Sequence, residues 1–332
     1  MSGGGIETVT VDDDDQSLRL DRWFRRHYPG LAHGRLEQLL RKGQIRIDGK
    51  RAKAGDRVTP GQAIRVPPLD AAPPATPRVV PPADAAMLHQ AVIHRDDRVI
   101  VLNKPPGLAV QGGTRSERHL DGMLDALRFG AAERPRLVHR LDKETSGVLV
   151  IARSAATAAF LTRAFRDKTT QKLYWALAVG VPKPPQGRIG LALAKGRGPG
   201  GAGRGGERVR ADPDDGKPAV TYYRTLDTAG ERASWLALRP VTGRTHQLRA
   251  HCAAIGTPIL GDGKYGGLAA QLAGVPNTTR LHLHARALSI PLPQGGRLRV
   301  TAPLPPQLRQ SWDFFGFVQD GGDPFSGLDL RE

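Results

Sequence analysis

The chain has 332 residues, with 49 Lys and Arg against 32 Asp and Glu and a formal charge of +17. That length holds one large domain and a small one, and so large a charge points to a polyanionic partner, nucleic acid ahead of an acidic membrane surface. A single cysteine, Cys252, excludes an internal disulfide and is a poor start for a metal site, so a reducing cytoplasm is the expected compartment.

The first stretch, MSGGGIETVTVDDDD, has neither the basic region nor the apolar region of a secretory signal. No apolar run approaches the ~20 residues that a membrane span needs. Residues 1–16, with the tetrad Asp12–Asp15, are expected to form a disordered acidic N-terminus. Leu20, Trp23, Phe24, His27 and Tyr28 then fall at i, i+3, i+4, i+7 and i+8, and Leu36, Leu39 and Leu40 make a shorter apolar face that stops at Gly43, so two helices are predicted. Ile45 and Ile47 alternate with polar residues before Asp48-Gly49, a hairpin signal, and Ile64 and Val66 supply a later strand. Residues 17–66 carry 13 Lys and Arg against 4 Asp and Glu, a net +9 that suits a phosphate chain. Residues 67–88 are rich in Pro and Ala and are expected to be a semi-rigid tether.

From residue 89 to 305 a second domain is expected, followed by a C-terminal tail over 306–332. RVIVLNKP, GVLVIA, QKLYWALAVG, YYRTL, WLALRPV and RLRVTAP are predicted strands, and SAATAAFLTRAFRDK a helix with Phe160, Ala164 and Phe165 on one side. Strands outnumber helices and several are neighbours in sequence, which favours an α+β domain with a mainly antiparallel sheet. Residues 195–206 form a Gly/Arg-rich loop containing GRGPGG, a literal G-x-G-x-x-G. Its proline and the further glycines argue against a dinucleotide turn.

Two polar clusters carry the candidate chemistry. HRLDKE places Asp142 beside Arg140 and Lys143, where opposite charge would hold a carboxylate ionised, roughly 1–3 pKa units below its usual value. Such a group is a poor acid but an available nucleophile or base, and a solvated salt-bridge loop would explain the same letters. The kinase loop H-R-D is excluded by the intervening Leu141 and by the missing companion motifs. In RPVTGRTHQLRAHC, Arg244, His246, Arg249 and His251 gather at a glycine turn opening an apolar helix. A zinc pair from His246 with His251, or His282 with His284, lacks matching acidic or cysteine ligands, so no metal is expected.

The stretch RLDRWFRRHYPGLAHGRLEQLLRKGQIRIDGKRAKAGDRVTPGQAIRV resembles the S-four-type RNA-binding domain, which implies RNA contacts from Arg35, Arg41, Lys42 and Lys50. In order, LNKPPGLAVQGG, LVHRLDKETSGVLVIARS, KLYWALAVG, GKPAVTYYRTL and VTGRTHQLRAHCAAIGTPILGDGKYG resemble the successive motifs of the RluA-type pseudouridine synthases. Together with the N-terminal unit they look most like the RluC branch, whose substrate is large-subunit ribosomal RNA. The resemblance covers residues 17–66 and about 90–303, and it implies a bisected, mainly antiparallel sheet. It also implies an isomerase that turns RNA uridine into pseudouridine without metal or cofactor. By the same resemblance Asp142 is the catalytic carboxylate, Arg249 its basic partner, and Arg140 the arginine that fills the gap left by the flipped uridine. His139, Arg244 and His246 stand in the same motifs and are expected to contact the RNA. Alternation sends Leu173, Trp175 and Leu177 to one face of their strand and Tyr174 to the other, free to stack on the flipped base. The expected protein is a cytoplasmic monomer on ribosomal RNA, with no membrane contact. A catalytically inactive RNA-binding or ribosome-assembly factor is the alternative, though it would have no reason to keep Asp142, Tyr174 and Arg249 together.

Overall fold

The computed structural model describes residues 5–28, 30–31, 33–69, 80–112, 118–196, 208–212 and 214–318. They fall into two units, Met1–Arg78 and Val79–Glu332. The Gly/Arg segment beyond Gly196 and the end of the C-terminal tail lie outside the described residues.

The first unit runs β1 (Glu7–Thr10), α1 (Leu20–His27), α2 (His33–Arg41), β2 (Arg46–Ile47), β3 (Lys50–Arg51) and β4 (Ala63–Val66). The helices and the hairpin stand where periodicity put them. Asp48 and Gly49 both take positive φ, as a two-residue turn between right-twisted strands requires. Leu20, Trp23, Phe24, Leu36, Leu39, Ile45 and Ile64 close one core.

The expectation of a disordered acidic start is corrected. β1 pairs antiparallel with β4, and Asp15 is 1% exposed, bonded to Arg26 at 2.9 Å and His27 at 2.5 Å. Charge composition suggested solvation, but these basic partners and the free edge of β4 recruit the segment instead.

The second unit opens with α3 (Pro82–Gln90), so the end of the tether expected over 67–88 is corrected from Pro82 onward: proline at the first helical turn starts a helix there, and Leu88 is fully buried. Residues 70–79 lie outside the described residues. Then come β5 (Val92–Arg95), β6 (Val99–Lys104), α4 (Leu120–Met123), β7 (Arg136–Leu137), β8 (Ser146–Ala152), α5 (Ala155–Arg166), β9 (Gln171–Val179) and β10 (Gln186–Gly190). β11 (Leu193–Gly196) and β12 (Arg208–Ala211) form a separate two-stranded sheet, and β13 (Val220–Ala229), β14 (Ala233–Pro240), α6 (Gln247–Ala254), β15 (Leu283–Pro291), β16 (Arg297–Thr301) and α7 (Pro306–Phe314) follow.

One sheet dominates, in the order β10-β13-β14-β9-β15-β8-β6-β5, with β16 on β15 and β7 on β8. Every pairing in it is antiparallel except β15–β8. That parallel contact spans only Ser146 and Gly147 opposite His284 and Ala285, after which β16 takes over the edge of β15. The sheet is therefore split at β15. Gly147 makes the junction: its φ is +109°, and a Cβ there would overlap the Ala285 carbonyl.

The apolar run GVLVIA is buried on both faces because its alternate residues feed two cores. Leu149 and Ile151 join Ile100 and Leu102 beneath α3 and α4, while Val148 and Val150 join Val99, Val101, Leu161 and Ala164 beneath α5. The inner face of α5 is thus Thr157, Leu161 and Ala164, with Phe160 and Phe165 at its margin rather than at its centre.

The boundary at 305 is corrected as well. α7 places Leu308 and Trp312 in a core with Trp175, Leu177 and Trp235, so the sheet's β9–β14 half is covered by residues expected in a tail.

Candidate active site

The loop from His139 to Thr145 joins β7 to β8, and buried groups hold it at several points. His139 Nε2 accepts the Val150 N–H at 2.8 Å, and its ring stacks on Phe165 with centroids 4.4 Å apart. Burial pushes the imidazole down to about 3, so it is a neutral acceptor. His139 Nε2 and its ring are thus engaged by β8 and α5.

Fully buried Lys104 donates to the carbonyls of Pro105, Leu108 and Lys143 at 2.8, 2.9 and 3.0 Å. Burial brings it down to about 7, with Glu144 and Asp142 pulling the other way. The Gly107 N–H also reaches the Lys143 carbonyl at 2.9 Å. Ser146 Oγ meets His284 Nδ1 at 2.9 Å, and Thr145 N–H closes a turn on the Asp142 carbonyl.

Between these anchors Asp142 is half-buried, and among the described residues its carboxylate has no hydrogen bond or ion pair. It lines a pocket of about 280 Å³ with Arg140, Lys172, Tyr174, Arg244, His246 and Arg249. Arg140 and Arg244 are exposed.

Tyr174 does not leave the core altogether, because β9 lies between β14 and β15 and is packed on both sides. It touches two apolar clusters while facing the pocket. Burial first, and then the Asp142 carboxylate, raise its phenol well above the usual value, so it stays a neutral ring. Lys172 shares that face of the strand two residues earlier.

The far wall is the β14–α6 connection, organised by buried Gln247. Its Oε1 accepts from Thr242 Oγ1 at 2.7 Å and Arg244 N–H at 3.1 Å, and its Nε2 donates to Val220 O and Thr221 Oγ1. His246 takes the left-handed conformation at φ +51° as α6 begins. Its Nδ1 lies 3.0 Å from Tyr265 Oη, which itself accepts the Val209 N–H. Burial lowers the His246 pKa, with Asp142 opposing.

Arg249 departs from the sequence expectation most clearly. Its guanidinium forks onto Asp262, Nε to Oδ2 at 2.8 Å and Nη2 to Oδ1 at 2.7 Å. Asp262 Oδ1 also accepts the N–H groups of Lys264 and Tyr265. The direct pairing expected with Asp142 is therefore corrected to Asp262, which sits in the GDG turn where Gly261 passes the Arg280 carbonyl too closely for a Cβ. Burial works against the charge on Arg249, but Asp262, and Asp142 at longer range, leave its pKa raised. Arg249 thus presents positive potential to Asp142 from a fixed mount.

His251, His282 and His284 are fully buried and hydrogen-bonded, to Thr221, to Arg280 and Ser311, and to Ser146 and Ala302. In the first unit Arg35 stands on α2, Arg41 ends it, Lys42 follows, and Lys50 opens β3. All four are exposed. Sequence reasoning missed Asp262, Lys172, Lys104, Gln247 and Tyr265. Each lies in a motif singled out above, but its partner is set by tertiary structure.

Known proteins resemble this chain over most of its length. The profile of the RNA pseudouridylate synthase family matches residues 98–254. Ribosomal large subunit pseudouridine synthase C of Rickettsia typhi is 35% identical over 87% of this chain and 94% of its own. The enzyme of that name from Vibrio cholerae is 34% identical over 92% and 96%. The solved structure of human RNA pseudouridylate synthase domain containing 4 superposes with a TM-score of 0.56 at 28% identity, covering 70% of this chain and 95% of the human one. With a free carboxylate, a tyrosine face and a mounted arginine converging on one pocket, and with relatives matched over nearly their whole length, the chain belongs to the RNA pseudouridylate synthase family.

Proposed function

We propose that this isomerase acts on uridine in large-subunit ribosomal RNA, the substrate named for its bacterial relatives. Asp142 acts on the ribose of the flipped nucleotide, Tyr174 stacks on the uracil, and Arg140 at the rim occupies the space the base has left. The observation that carries this reading is the Asp142 carboxylate, unpaired at the pocket while its loop is anchored at His139, at the Lys143 carbonyl and at Thr145. Arg249, held by Asp262, keeps that carboxylate in a positive field, and Arg244 and His246 face the RNA across the pocket.

The N-terminal unit acts as an S-four-type grip on structured RNA through Arg35, Arg41, Lys42 and Lys50, and the protein works as a cytoplasmic monomer. No helix among the described residues is long and apolar enough to cross a membrane. The test is a pseudouridine map of ribosomal RNA from cells with and without the gene: at least one large-subunit position should lose its pseudouridine. An unchanged map would contradict the assignment of substrate.

A further inference from the structure

Lys172 is a cation of the reaction pocket to which the catalytic roles above give no task. It lies on β9 two residues before Tyr174 and on the same face of the strand, and lines the same pocket as Asp142. Its ammonium makes a single long hydrogen bond, 3.5 Å to the Thr242 carbonyl. Among the described residues it has no carboxylate partner. The other pocket cations differ: Arg249 is committed to Asp262, and Arg140 and Arg244 are exposed at the rim. Lys172 is half-buried, where a charge acts with less screening.

We propose that Lys172 is a further catalytic residue, donating a hydrogen bond from its ammonium to the uracil ring while that ring is detached from the ribose. This rests on the isomerase reading above. When the C1′–N1 bond breaks, both electrons leave with the uracil, whose negative charge spreads over N1, O2 and O4. The C1′–C5 bond then forms, C5 gives up its proton and N1 gains one, so no co-reactant is needed. A cation already present at the pocket stabilises the ring when its charge is greatest and contributes little to the neutral uridine.

The charged and titratable groups around Lys172 are His139, Arg140 and Asp142 from the β7–β8 loop, Tyr174 on its own strand, and Arg244, His246 and Arg249 from the β14–α6 side. Burial brings Lys172 down to about 8. The ammonium therefore predominates at pH 7 and is lost as pH rises above that value.

The experiment is single-turnover pseudouridine formation at saturating protein on in vitro transcribed large-subunit ribosomal RNA. Wild type, Lys172→Met and Lys172→Arg are compared from pH 6 to 9.5, with RNA affinity measured alongside. Lys172→Met keeps the aliphatic stem and should lower the rate by about a hundredfold or more, the scale of losing one transition-state donor, with affinity nearly unchanged. Lys172→Arg should recover much of the rate and remove the alkaline fall that wild type shows above about pH 8. A Lys172→Met rate within threefold of wild type would overturn the proposal, as would a loss confined to affinity, which would make Lys172 a phosphate contact. Should Lys172→Met fail to fold, wild type and Lys172→Arg decide: identical alkaline limbs overturn the role. Inactive wild-type protein would instead count against the isomerase reading itself.

Discussion

The Arg249–Asp262 pair can be broken from either side, and its burial sets the size of the effect. Asp262 is 0% and Arg249 11% exposed at the side chain, with two hydrogen bonds between them. Removing one partner leaves the other charge buried and uncompensated, which costs about 3–5 kcal/mol. Arg249→Ala and Asp262→Ala should therefore each destabilise the second unit by about that amount. The double variant should be little worse than either single, giving a coupling energy of about 2 kcal/mol or more in a double-mutant cycle. Urea unfolding followed by tryptophan fluorescence serves as the assay, since Trp175, Trp235 and Trp312 all lie in that unit and Trp23 alone lies in the other. Each single variant should also lose activity, because Arg249 no longer faces Asp142 from a fixed position. Singles costing under ~1 kcal/mol and adding without coupling would refute the mounted-arginine account.

Trp312→Ala should cost about 3–5 kcal/mol, as for any large aromatic removed from a closed core, and a variant as stable as wild type would show that α7 is dispensable. His139 and His284 are both held neutral, with folded values of about 3 and 4 against 6.5 in the unfolded chain. Stability they contribute above pH 6.5 is lost as pH falls, because the unfolded chain takes up protons first, and at pH 5 the loss is about 2 kcal/mol per histidine. Urea midpoints that do not fall between pH 7 and 5 would contradict this. Neutralising Arg35, Arg41, Lys42 and Lys50 together should reduce the slope of log affinity against log salt by about 3, at 0.7–0.9 per phosphate contact. An unchanged slope would mean that the N-terminal unit does not grip RNA through them.

The fold was legible wherever one periodicity decided the element. Trp23 and Phe24 mark α1, Asp48-Gly49 marks its hairpin, and the unbroken apolar run of β8 marks a strand covered on both faces. What the letters could not show was which partner a polar residue finds. His139 stands among charged neighbours and reads as an RNA contact, yet its ring stacks on Phe165, 26 positions on, and its Nε2 accepts the Val150 N–H of β8. Arg249 reads as the partner of Asp142, but a glycine turn brings Asp262 closer. The acidic start reads as solvated, and only the open edge of β4 and the pairing of Asp15 with His27 make it structural. Asp142 stands in a motif that the sequence singles out, while the hold of Lys104 and Gly107 on the adjacent Lys143 carbonyl is set by tertiary structure.

The central claim is that the unpaired carboxylate at position 142 performs the reaction and does little for binding. The direct measurement compares Asp142→Asn with wild type for pseudouridine formation and for RNA affinity on the same large-subunit transcript. Removing one negative charge from a site that receives a polyanion should leave affinity equal or slightly tighter, while product formation disappears. A folded Asp142→Asn protein that still makes pseudouridine at a substantial fraction of the wild-type rate would contradict the account.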